Sequence, residues 1–238
     1  MYGGLTAALL LRAIERELQE GQRVARLTTA FCAPLLPGPV EIEVTVVRGG
    51  RNVSVLQARL RGVGPDGQPR VAATAMATAA RIRPHPIAVV PPRIDMPSVD
   101  SVLDGPEEHY LPAFAERFSF RQCVGPRPFS GEGPARVGGW CRLNEDGALE
   151  APAIAAILDA WPPAAAGLSE GPCPVASLEM TVAFETDVPV PARTWLYYEA
   201  RSERAVGGLA DELATLHLPD GTRIASAQQL IVLLPGVR

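Results

Sequence analysis

The chain of 238 residues contains no lysine, so all 22 of its basic side chains are arginines. Cysteine and histidine are sparse as well, at four and three, and aromatic residues make up only 5%. Cys32, Cys123, Cys141 and Cys173 form no close pair, which argues against a zinc site and against a dense disulfide framework. They are expected to be small buried hydrophobes in a reducing compartment, and no metal or other cofactor is expected. No apolar run is long enough to span a bilayer, and no basic stretch followed by an apolar one marks a leader peptide. A cytoplasmic protein that does not enter membranes is therefore expected. Net charge is −4 and the isoelectric point is near 5.5, which gives no general electrostatic reason to bind nucleic acid. The missing lysine reads as base-composition bias.

What is present is globular composition: 47% hydrophobic residues, 20% charged and a mean hydropathy of +0.10. The sequence also repeats. Arg70-Val71-Ala72-Ala73, after the turn "GPDGQP", matches Arg223-Ile224-Ala225-Ser226, after "LPDGT", at an offset of 223 − 70 = 153. The same offset relates Phe31 to Phe184, Ile42 to Trp195 and Arg51 to Arg204, which indicates internal duplication.

Each copy follows one plan. The first has an apolar helical stretch near 4–20 and strand-like runs near 24–33, 39–49, 52–63 and 69–80. The second has a helix near 151–161 and runs near 175–186, 193–203, 206–218 and 222–235, with two further runs, "FAERFSFRQCV" and "ARVGGWCRLN", before its helix. Proline-rich sequence separates the copies. The expected domains are 1–85, a linker over 86–112, and 113–238. The first repeat is expected to lack its first strand, which would make Met1 a late start. One long helix with a meander of antiparallel strands predicts an α+β tandem hot-dog, each half a long sheet wrapped around a central helix.

The segments "YGGLTAALLLRAI", "TTAFCAPLLPGPVEIEVTVVRGGRNVSV", "LDAWPPA", "SLEMTVAFETDVP" and "DGTRIASAQQ" resemble the double-hot-dog acyl-CoA thioesterases of the type II thioesterase-like superfamily. The resemblance implies hydrolysis of an acyl thioester by a water held between an Asp on the second helix, a Thr or Ser on the next strand and a Gln on the last. Those residues correspond to Asp159, Ser177 and Gln229, with Ser177 keeping the hydroxyl and losing the methyl that restricts a threonine's rotamer. It also implies an acyl-CoA or related acyl-thioester substrate and a homodimer or larger homo-oligomer. The alternative is a hot-dog protein without turnover that binds acyl ligands or serves assembly.

Pattern alone leaves each of these residues open. Asp159 shares a helical stripe with Pro152, Ala155 and Ala156, as an ordinary solvated aspartate would. Ser177 could be a strand-end hydroxyl, and Gln229 a structural amide beside Gln228. The offset of 153 places Thr6, Val24 and Met76 at the corresponding positions of the first copy. Gly3-Gly4 before the first helix could bring backbone N–H groups close to an oxyanion, or could be plain turn chemistry. No His–Asp pair is legible: His85 and His109 lie in the linker region, and His217 reads as a surface strand residue.

Overall fold

The computed structural model describes residues 2–102, 112–186 and 190–234. Helix α1 spans Gly3–Glu15, and strands β1 (Arg23–Phe31), β2 (Glu41–Arg48), β3 (Val53–Val63) and β4 (Pro69–Ala80) follow. Beyond the proline-rich region come β5 (Phe118–Val124), β6 (Arg136–Leu143), α2 (Ala151–Leu158), β7 (Val175–Phe184), β8 (Leu196–Val206), β9 (Leu209–His217) and β10 (Arg223–Leu233). The strands pair into one antiparallel ten-stranded sheet in the order β2-β3-β4-β1-β7-β10-β9-β8-β6-β5. The sheets expected for the two halves run on as one continuous sheet. Pairing β1 with β7 satisfies backbone groups that would otherwise form two open edges.

Helix α1 turns Ala7, Leu10, Leu11 and Ile14 into the core, at the spacing read from sequence. They meet a sheet face built from Leu27, Leu56, Leu60 and the alanines Ala73, Ala75, Ala77 and Ala79 of β4. Each fully buried leucine contributes roughly 1.5–3 kcal/mol. Small residues on β4 let the helix sit close. The helix ends earlier than its apolar pattern suggests, because the chain turns back toward β1 through Gly21, whose φ of 75° is left-handed. Helix α2 packs beside α1 and stops at Leu158, since Pro162 and Pro163 follow within a turn. That stop places Asp159 at the C-cap, with φ −110° and ψ 9°.

About the β1–β7 seam the sheet has a local two-fold registry. Gln57, Met76 and Thr28 stand in one row with Thr181, Gln228 and Leu213, so the seam falls between Thr28 and Thr181. The first side contributes four strands and the second six.

Two expectations need correction. His217 is buried, at 4% exposure, with Nδ1 3.3 Å from the carbonyl oxygen of Gly221 in the turn between β9 and β10. Cys32 and Cys123 are exposed, and only Cys141 is fully buried. Between β4 and β5, the described part of the linker has one short 3₁₀ turn at Val99–Ser101; His85 is exposed there, while His109 lies outside the described residues.

Candidate active site

The three polar residues that pattern alone could not settle meet at one point. Ser177 Oγ lies 3.2 Å from Asp159 Oδ1 and 3.1 Å from Gln229 Oε1. Gln229 Nε2 reaches the Leu158 carbonyl oxygen at 3.5 Å, which ties the last strand to the end of α2. Asp159 is not a solvated helix aspartate. Its Oδ2 accepts the Gly4 amide N–H at 2.5 Å from the first turn of α1.

Local backbone geometry brings these side chains together. Regular alternation from Val182 and Met180 would turn Leu178 inward and Ser177 outward. A bulge at Leu178 moves the register, so that Ser177 stands opposite Ile231 and faces the helices. On β10, Gln229 shares the inner face with Ala227 and Ile231 and is 4% exposed, whereas Gln228 points outward. Gly3 and Gly4 are the first residues of α1 and do not precede it. A Cβ on Gly3 would stand 2.9 Å from Asp159 Oδ2, and one on Gly4 only 2.8 Å from the Ala156 carbonyl oxygen. Glycine is what lets the start of α1 approach the end of α2.

The residues line a cavity of about 490 Å³. Phe31, Leu35, Phe114, Trp161, Leu178 and Ile231 supply much of its apolar wall. Burial pushes the Asp159 carboxyl up to about 6, against the hydrogen bonds from Gly4, Ser177 and Gln229, which favour the ionised form. Above that pH Asp159 is ionised.

The registry about the seam revises the comparison between the halves. Val24 still matches Ser177, but Gln229 matches Ala77; Met76 matches the outward Gln228 and is itself exposed. Along β4 and β10 the paired rows run at an offset of 229 − 77 = 152, one less than the repeat read from sequence.

Glu212 was missed. It lines the same cavity, is 2% exposed and stands directly opposite Gln229 on β9. Its signal was the alternation in "LADELATLH", which puts Glu212 on one face with Ala210, Ala214 and Leu216.

Family models match almost end to end: an acyl-CoA thioesterase N-terminal domain over residues 1–80 and an acyl-CoA thioesterase C-terminal domain over 90–233. The chain belongs to the acyl-CoA thioesterase family. Solved structures with the same fold include a hot-dog protein of unknown function from Alicyclobacillus acidocaldarius, 24% identical with a TM-score of 0.84, covering 99% of this chain and 88% of that one. The tesB protein of Mycobacterium avium subs paratuberculosis is 23% identical, TM-score 0.79, with 99% and 88% covered. The acyl-CoA thioesterase II TesB2 of Mycobacterium marinum is 19% identical, TM-score 0.76, with 98% and 90% covered. None of the curated proteins compared matches the chain. Among the described residues of this thioesterase-family chain, no helix is long and apolar enough to cross a membrane, and no three His, Cys, Asp or Glu side chains are grouped to hold a metal ion.

Proposed function

We propose that the protein hydrolyses an acyl-CoA or related acyl thioester with a water held by Asp159, Ser177 and Gln229. The observation that carries this reading is the convergence of a raised carboxylate, a hydroxyl and an amide in one apolar cavity. A water donating one hydrogen to Asp159 and the other to Gln229 Oε1 keeps a lone pair free for the thioester carbon. As the C–O bond forms, Asp159 takes the proton, and the thiolate leaves with the electron pair of the C–S bond. Ser177 has a single proton for two acceptors. It can therefore follow the charge, donating to Asp159 while that group is ionised and to Gln229 once it is protonated.

Gly4 has its N–H engaged by Asp159 and acts in this scheme as a positioning residue. The amide of Gly3, at the first helical position and without a helical acceptor, is the candidate donor to the thioester oxygen. The symmetric registry about Thr28 and Thr181 supports reading the chain as two hot-dog repeats, 1–85 and 113–238, joined by 86–112. Association into a homodimer, with edge strands β2 and β5 exposed at the ends of the sheet, belongs to the same reading and is tested by light scattering.

Release of free thiol from a panel of acyl-CoAs tests the proposal. Wild-type protein turns over at least one of them, and Asp159→Asn lowers kcat by about two orders of magnitude or more, the worth of a positioned general base. A folded Asp159→Asn variant with near wild-type turnover refutes it.

A further inference from the structure

Glu212 is a buried carboxyl that the hydrolytic scheme does not use. Its Oε2 accepts the Ala164 N–H at 2.5 Å and its Oε1 the Tyr198 hydroxyl at 3.4 Å. Each oxygen therefore has one protein donor and a further lone pair. The charge of Asp159 acts on it and is of its own sign, and burial is the larger cause that pushes its carboxyl up to about 7. Burying such a group without a charged partner is costly, and an apolar side chain of similar size usually does better.

The other half of the sheet contains that apolar alternative. The inner row Glu212–Gln229–Met180 has its two-fold counterpart in Leu56–Ala77–Leu27, read along the paired strands from β3 to β1. Leu56 and Ala77 are fully buried, so the second half has a carboxyl and an amide where the first has aliphatic core. Ser177 replaces Val24 in the same way. By this comparison Glu212 belongs with Ser177 and Gln229, as a polar residue placed toward the cavity.

It stands one strand further from Ser177 than Gln229 does, about 4.8 Å along the sheet. Trp161 and Pro163 line the same cavity. Resting on the reading of the site as a thioesterase, we propose that Glu212 is a specificity-determining residue: it accepts a hydrogen bond from a hydroxyl or amino group carried down the acyl chain, away from the thioester. A plain alkyl chain reaching that point would cover both carboxyl oxygens without offering a donor, and the site selects against it.

The test compares hexanoyl-CoA, ω-hydroxyhexanoyl-CoA and ω-aminohexanoyl-CoA. Wild-type kcat/KM is expected to favour a donor-bearing substrate over hexanoyl-CoA by about tenfold or more. Glu212→Leu, which installs the residue of the first half, should reverse the order by raising hexanoyl-CoA turnover and lowering that of the donor-bearing substrate. Glu212→Gln keeps an acceptor and should retain preference for the hydroxyl while losing any for the amine. Which of the two wild-type preferences is larger identifies the donor. Calorimetric binding of the three thioesters to Asp159→Asn reads the same order without turnover. If wild-type protein hydrolyses none of them yet Asp159→Asn binds in this order, the hydrolase reading fails and the binding site stands. Equal handling of all three, unchanged in Glu212→Leu or in Glu212→Gln, overturns the proposal.

Discussion

The Gly4 amide donates to Asp159 Oδ2 across the junction of α1 and α2, from a point in the chain 155 residues away. This contact holds the carboxylate against the start of the other helix, and it exists because Gly4 has no side chain. A Cβ there would meet the Tyr2 ring at 2.6 Å and the backbone of Ala156 at 2.8 Å. Rigid backbone gives way less readily than a flexible side chain, so the two helices must separate.

Gly4→Ala is therefore expected to lower stability by about 1–3 kcal/mol, the usual cost of overpacking. It should also lower kcat for any thioester the protein hydrolyses, because the carboxylate loses its donor. Denaturant unfolding and thiol release measure the two effects. Unchanged values for both would mean that the helix junction is loose and that the Gly4 contact does not position Asp159.

Asp159 and Glu212 also set a pH dependence. Both carboxyls titrate higher in the folded protein than in an unfolded chain, Asp159 near 6 against 3.8 and Glu212 near 7 against 4.5. Between those values the folded state holds more protons than the unfolded one. The two groups therefore favour folding fully below pH 3.8, and that contribution is lost as pH rises through about 6 and then about 7. Asp159→Asn removes its share of the dependence. Relative to wild type, the variant should gain stability steadily from pH 4 to pH 7, as read by melting temperature at each pH. Wild-type turnover should run the opposite way and fall as pH drops through about 6, where the base becomes protonated. A stability difference that is flat across this range would show that Asp159 titrates as it does in water.

The mirrored rows predict that the first half does not tolerate the chemistry of the second. Ala77 is fully buried and lies on the row that matches Gln229. Ala77→Gln should cost about 1–3 kcal/mol or more, because its amide would lack the partners that Gln229 finds in Ser177 and Leu158. Met76→Gln, at the position that sequence offset alone selected, should cost little, since Met76 is 44% exposed. Equal costs at the two positions would contradict the register.

Most strands were legible because apolar alternation and turn residues such as Pro219-Asp220-Gly221 mark them directly. The helices were legible in their existence and less so in their ends, which depend on Gly21 and on Pro162-Pro163 rather than on apolar spacing. Ser177, Gln229 and Asp159 could be picked out by resemblance, but their meeting could not be derived from pattern. Ser177 faces inward only because of a bulge at Leu178, and no residue in "SLEMT" announces one. The joining of both halves into one sheet rests on β1–β7 pairing between distant segments, which local periodicity does not carry. Glu212 was hidden for a different reason: a charged residue in an alternating strand is ordinarily assigned to the solvent side.

The last prediction concerns how Ser177 and Gln229 share the task. Ser177 Oγ lies within hydrogen-bond distance of both Asp159 and Gln229, so it links the base to the amide. In the proposed scheme, removing Gln229 takes away one of the two acceptors of the water. Removing Ser177 loosens the link that aligns those acceptors, and removing both leaves Asp159 to hold the water alone. Ser177→Ala and Gln229→Ala should each lower kcat by less than Asp159→Asn does. The double variant should lose less than the two single losses combined, because each single change already breaks the Ser177–Gln229 contact. Gln229→Ala also frees the Leu158 carbonyl oxygen at the end of α2 and should cost some stability, whereas Ser177→Ala should not touch that contact. Ser177→Thr keeps the hydroxyl, adds a methyl that limits its rotamers, and should hold turnover close to wild type. The kinetics of wild type and of these variants, each checked for folding by thermal denaturation, decide the matter. Strictly additive losses would mean that Ser177 and Gln229 act on the substrate separately and do not hold one water between them.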